Sequence, residues 1–224
     1  MNTEVAFLSE FDIEGNAEDL LNSYGRAYAT ITCPPVPVEH ITEKHVGLTL
    51  DFTDLNARFG GVDVMGALWA NDRAMFVDEQ LDYDVYPAME GRCRFTVGHE
   101  LGHWCQHRYY LEQDPAQTSL FEEPSLPSVV CRTGGDQSRI EYQANRFSAT
   151  LLMPKPLVYA AWRETFGNAN PLGWDTPEAE LDLLAGRFAQ KFGVSRQAMR
   201  IRLVKLGLVQ TEPQMGSWSS WASN

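Results

Sequence analysis

The sequence predicts an α+β fold, with a small mixed sheet packed on one long helix and a helical pair toward the C-terminal end. Three observations predict it. Short β-prone runs cluster between Val46 and Asp78, helix-period patterns dominate after Arg92, and a glycine splits two apolar helical stripes at Gly193.

The elements follow in order. Over residues 17–28, Leu20, Leu21, Tyr24, Ala27 and Tyr28 recur at helical spacing, and Pro34, Pro35 and Pro37 end the helix. Val46, Leu48, Leu50 and Phe52 alternate as a strand. Residues 66–70 and 74–78 form two further short strands around the turn-prone Asn71 and Asp72. Residues 92–108 read as a helix, although Gly98 and Gly102 each cost about 1 kcal/mol against alanine in a helix interior. Being four apart they share one stripe, where a neighbouring element can approach closely.

Residues 112–128 are rich in Pro, Ser, Gln and acids without an apolar period, which is the pattern of a surface loop. A short strand at 129–132 precedes the Gly134-Gly135 turn. Residues 138–152 carry two adjoining helical stripes: Ile140, Ala144, Phe147 and Leu151, then Glu141, Asn145, Ser148 and Leu152. Pro154 and Pro156 stop that helix. Residues 157–166 are helical, and 178–207 hold two more helices broken at Gly193. The last residues, with Trp218 and Trp221 among serines, show no period. The expected organisation is a domain over 1–170, a helical segment over 171–210 packed on it, and a flexible tail over 211–224.

Composition narrows the class. No run approaches the roughly 18 apolar residues of a membrane span, and the first residues are acidic where a secretory leader is basic, so a cytosolic location is expected. Cys33, Cys93, Cys105 and Cys131 show no Cys-x-x-Cys spacing and read as reduced, buried thiols. A net charge of −12 repels phosphate backbones and argues against nucleic-acid binding as the main task. Between Leu181 and Leu208, however, Arg187, Lys191, Arg196, Arg200, Arg202 and Lys205 face the single acid Asp182. That segment resembles a helix-turn-helix, with Gly193 at the turn, Ser195 as the second helix's cap, and Arg196, Arg200 and Lys205 available to phosphates. Its apolar residues explain it equally as a pair packed on the core, and the overall charge favours packing or protein recognition.

His99-Glu100-Leu101-Gly102-His103 decides the chemistry. Residues four apart on a helix differ by about 40° in direction and 6 Å in height, so two imidazoles can converge on one ion. Glu100 points about 100° from His99, beside the ion, where a carboxylate can take a proton from water. Chance placement gives roughly one such pattern per 100 sequences of this composition. His107 is turned about 80° from His99, a position for a supporting residue, not a ligand. A catalytic zinc needs a third protein ligand. The loop acids Glu112, Asp114, Glu122 and Glu123 stand in a segment poorly suited to holding one, and Glu141 is better placed at the start of the next helix. Spacing alone leaves Glu141 equally explained as a favourable acid in a first helical turn. His107, Tyr109, Tyr110 and Arg92 are unranked candidates for an oxyanion donor.

Residues 94–103 and 140–154, Arg-Phe-Thr-Val-Gly-His-Glu-Leu-Gly-His and Ile-Glu-Tyr-Gln-Ala-Asn-Arg-Phe-Ser-Ala-Thr-Leu-Leu-Met-Pro, together resemble the ImmA/IrrE family of metallopeptidases. The resemblance spans roughly 17–208, weakly before Gly66, and Ser148 replaces the family's usual alanine. It implies a zincin-like fold, Zn2+ held by His99, His103 and Glu141, and Glu100 as the catalytic base. It also implies a protein substrate of the helix-turn-helix repressor class. In such folds a substrate strand adds to a sheet edge above the metal helix, and Gly66-Ala67-Leu68-Trp69 stands where that edge is expected. The competing class is a DNA-binding or toxin–antitoxin protein that uses the same fold as a binding module without proteolysis.

Overall fold

A computed structural model describes residues 5–61, 63–111, 127–132, 139–167, 171–173 and 175–210. Helix α1 is Glu10–Ala27 and α2 is Val38–His40, which continues as a π-helical turn, Ile41–Val46. Strand β1 (Thr49–Thr53), the short α3 (Leu55–Arg58), β2 (Val64–Trp69) and β3 (Ala74–Asp78) follow. Then come α4 (Glu90–Leu111), β4 (Val129–Arg132) and α5 (Arg139–Leu152). Helices α6 (Lys155–Phe166), α7 (Glu178–Phe192) and α8 (Arg196–Lys205) complete the order. The class is α+β, as the patterning predicts.

The four strands lie in the order β1-β3-β2-β4. β1 is parallel to β3, while β2 pairs antiparallel with β3 on one side and with β4 on the other. This overturns the expectation of a free edge at Gly66–Trp69. Both of its edges are taken, because residues 129–132 return to the sheet from a distance that hairpin logic does not reach.

α4 runs through the middle. Every residue from Thr96 to Trp104 is buried, which is the mark of a helix covered on all sides. The sheet covers one face and α5 another. The glycine stripe lets α5 close in: a Cβ on Gly98 would stand 2.6 Å from Ser148 Oγ, and one on Gly102 would stand 3.1 Å from the Ala144 backbone.

The N-terminal helix starts seven residues earlier than the apolar pattern suggests. Ser9 and Asp12 form a capping box, in which the Ser9 hydroxyl accepts from the Asp12 N–H and the Asp12 carboxylate accepts from the Ser9 N–H. That cap nucleates a polar first turn which the search for apolar periodicity passes over. Val46 is likewise no strand residue: it closes the π-helical turn, and Gly47, at φ 74°, reverses the chain before β1. Cys33 is exposed, against the expectation that all four thiols are buried.

The α7–α8 pair turns at Gly193 (φ 61°), and Ser195 Oγ accepts from the Ala198 N–H, as the residues foretell. It lies directly on α4. A Cβ on Gly91 would meet Ser195 N at 2.6 Å, and the buried Arg94 guanidinium donates to the Gly193 carbonyl at 3.1 Å while pairing with Glu39 at 3.2 Å. Phe188, Met199 and Leu203 share one core with Val97 and Leu151. Among the described residues no helix is long and apolar enough to cross a membrane. Residues 211–224 and the acids Glu112, Asp114, Glu122 and Glu123 lie outside the described residues.

Candidate metal centre

His99 and His103 project from adjacent turns of α4, and their Nε2 atoms stand 3.0 Å apart. Glu141 enters from the first turn of α5. One of its oxygens lies 3.1 Å from His99 Nε2, and the other lies 3.1 Å from His103 Nε2. All three residues are buried, and their ligand atoms fall within 4.8 Å of one another. Bonds of roughly 2.0–2.1 Å at tetrahedral angles place donor atoms about 3.3 Å apart, so the observed spacing fits one small ion. Two imidazoles and a carboxylate form a borderline donor set that suits zinc among the common divalent metals.

Each imidazole is oriented from behind. His99 Nδ1 lies 3.0 Å from Asn145 Oδ1, which leaves Nε2 free to face an ion. His103 Nδ1 meets His107 Nδ1 at 3.1 Å, and His107 Nε2 meets Gln143 Oε1 at 2.7 Å. Asn145 and Gln143 were not singled out from the sequence. A signal for Asn145 existed, since it follows Glu141 by one helical turn on the same stripe. His107 supports the site as its direction suggests, but it is 1% exposed and committed to His103 and Gln143, so it cannot serve as an oxyanion donor.

Of the remaining oxyanion candidates, Tyr110 is half-buried in the last turn of α4. Tyr109 is exposed beside Arg108, while Arg92 reaches over the rim with its guanidinium 3.6 Å from Met65 Sδ. His40 and His45 stand apart from the centre, with partners in Tyr24 and Ser23 of α1.

Electrostatics separate the four central groups. Burial opposes charge on His99, but hydrogen bonds to Cys131 and Glu141 outweigh it and carry its pKa well above the ordinary histidine value. Burial dominates at His103 and lowers it to about 4. Burial would raise Glu141, yet the hydrogen bonds from His103 and His99 prevail and bring it to about 2. Glu100 is fully buried, and burial pushes it up to about 8. Neither Glu100 oxygen has a hydrogen-bond partner among the described residues. An unpartnered buried carboxylate is costly, so its presence beside two imidazoles marks a place built for a ligand and its water.

A groove of about 750 Å3 opens beside the centre, lined by Met65, Phe95, Thr96, Asn145, Ala149 and Ile201 among others. Asn145 joins it to His99.

Comparison with curated proteins gives no match. The family model for the IrrE N-terminal-like domain, peptidase family M78, matches residues 87–204, which run from the turn just before α4 into α8. That match contains both histidines, Glu100, Glu141 and the helices that carry them, and it covers more than half of the chain, which therefore belongs to the ImmA/IrrE family of metallopeptidases.

Proposed function

We propose that the chain is a zinc-dependent endopeptidase of the cytosol that cuts a specific protein, a helix-turn-helix transcriptional repressor, in a regulatory response. The observation that carries the catalytic part is the convergence of His99, His103 and Glu141 beside the orphaned carboxylate of Glu100. When bound, zinc supplies a Lewis acid that lowers the pKa of water to about 7 and polarises a carbonyl. His99, His103 and Glu141 hold it, and Asn145 and His107 fix the imidazole tautomers. Glu100 takes the proton of the attacking water at its carboxylate and returns it to the leaving amine nitrogen. The buried walls around Glu100 exclude bulk solvent, and the adjoining groove suits an apolar side chain of a peptide.

The repressor as substrate rests on the family resemblance. Direct DNA binding by α7–α8 is disfavoured because most of its basic residues are already paired. Lys191 meets Glu164, Arg196 meets Asp182, Arg200 meets Glu178 and Asp182, Arg202 meets Glu14, and Lys205 meets Glu10.

The test is incubation of zinc-loaded protein, and of its Glu100→Gln variant, with repressors encoded beside its gene, read by mass spectrometry. Cleavage by the wild type and none by a variant that still binds one zinc is the expected result. Intact repressors throughout would favour a binding module, and cleavage by the variant would remove Glu100 from its role.

A further inference from the structure

Cys131 takes no part in the reaction above, yet it lies at its centre. It sits in β4 directly opposite Gly66 of β2. Directly opposed residues of an antiparallel pair present their side chains to the same face. At Gly66 that face is α4: an added Cβ would lie 2.9 Å from Glu100 Oε1 and 2.6 Å from Thr96 Cγ2. Cys131 accordingly points inward and is only 7% exposed. Its Sγ forms, with a His99 nitrogen and a Glu100 oxygen, a second buried group of ligand atoms within 4.8 Å of one another. One carboxylate oxygen of Glu100 belongs to this group, and both of its oxygens are buried and without partners among the described residues.

A thiol beside Glu100 competes for the place of the water that Glu100 would activate. The strand carrying it also fills the edge of β2 on which an extended peptide would add by backbone pairing. We propose that Cys131 is a fourth ligand of the metal, and that β4 holds the enzyme in a latent state by occupying the substrate's strand position. The inference rests on the metal-site reading above.

Three protein ligands leave a catalytic zinc open, and a fourth closes it. The group that includes Cys131 shares only His99 with the three-ligand group. Coordination therefore requires the sulfur to move toward His103 and Glu141, by side-chain rotation together with a shift of β4. On coordination the S–H bond would break, a sulfur–metal bond would form, and the proton would leave to water. Departure of β4 would reprotonate the thiol from water, free the fourth position and bare the β2 edge in one movement.

The test uses the full chain loaded with cobalt(II), together with Cys131→Ser, Cys33→Ser and His103→Ala, and with metal content measured for each. The expected result is an intense near-ultraviolet thiolate-to-cobalt charge-transfer band in the wild type and in Cys33→Ser, absent in Cys131→Ser although its cobalt is retained. X-ray absorption of the zinc-loaded wild type gives a sulfur neighbour at about 2.3 Å, independently of any variant. Cys131→Ser cleaves its protein substrate severalfold faster than wild type. One cobalt per chain, lost in His103→Ala but showing no thiolate band, overturns the fourth ligand and leaves the peptidase reading standing. A band that survives in Cys131→Ser overturns it as well. Failure to bind any metal overturns both readings. Equal cleavage rates with the band present overturn the latent state.

Discussion

His107 Nδ1 lies 3.1 Å from His103 Nδ1, at the head of a hydrogen-bond chain that leaves the metal centre and ends in the N-terminal segment. For His103 to offer a lone pair at Nε2, its proton must sit on Nδ1 and be donated to His107. His107 then donates from Nε2 to Gln143 Oε1, and the Gln143 amide donates to the Ala6 carbonyl at 3.1 Å. Burial lowers the His107 pKa and keeps that ring neutral, as an acceptor must be. The expected outcome for His107→Ala is zinc affinity about 10–100-fold weaker with the three ligands intact. Competition against a chelator of known affinity measures it, and unchanged affinity would make His107 a space-filling residue.

The contact between Gly98 and Ser148 predicts a coupled pair. An alanine methyl at Gly98 would sit 2.6 Å from Ser148 Oγ, so Gly98→Ala alone should lose about 1–3 kcal/mol through overpacking, offset in part by the roughly 1 kcal/mol that alanine gains over glycine in a helix interior. Ser148→Ala removes the clashing oxygen together with its bond to the Phe95 carbonyl. The double variant should therefore be more stable than the sum of the two single changes, as urea denaturation of all four proteins will show.

Arg202 is 1% exposed. It donates to the Met153 carbonyl at 3.0 Å and pairs with Glu14 at 2.9 Å, joining α8 to the end of α5 and to α1. Because Glu14 keeps 30% of its side chain in solvent, Arg202→Ala should cost about 3 kcal/mol, the lower end for a broken buried pair. Arg202→Met, which fills the volume without a charge, should cost much less. Equal losses in chemical denaturation would show that the charge and its hydrogen bonds, not the filled volume, are what matter there.

Acid sensitivity follows from Glu10. Hydrogen bonds from Tyr142 and Lys205, with Arg146 nearby, hold its carboxyl down at about 2 from an ordinary 4.5. A depressed acid contributes stability that is whole above the unfolded value and is lost as pH falls from about 4.5 to about 2. Glu10→Gln should melt lower than wild type at neutral pH, and the gap should close over that window. The side chain is nearly half exposed, so the gap should also shrink in high salt.

The centre was legible wherever chemistry sits on one helix. His99, Glu100 and His103 are fixed by the turn of α4, and the second stripe of α5 holds Glu141, Asn145 and Ser148, all of which face α4. What spacing could not supply was long-range placement. Nothing in residues 129–132 says which strand they join, so neither the covered edge of β2 nor the position of Cys131 could be read. The Ser9–Asp12 cap was missed for the opposite reason: it is local, but it is written in hydrogen bonds and not in apolar period. The basic surplus of α7–α8 left DNA binding open as a second reading because most of its counter-charges, Glu10, Glu14 and Glu164, come from elsewhere in the chain.

Gly91 has room for no side chain because the turn of the α7–α8 pair rests against it. The rod that bears the histidines is thus clad at its near end by residues a hundred positions downstream. Shortening the chain after Phe166 would strip that cladding, leave the Arg94 guanidinium without one of its acceptors and wet the foot of the catalytic helix. A segment shaped like a DNA reader serves here as masonry, and an enzyme trimmed to its motifs would lose its footing before its chemistry.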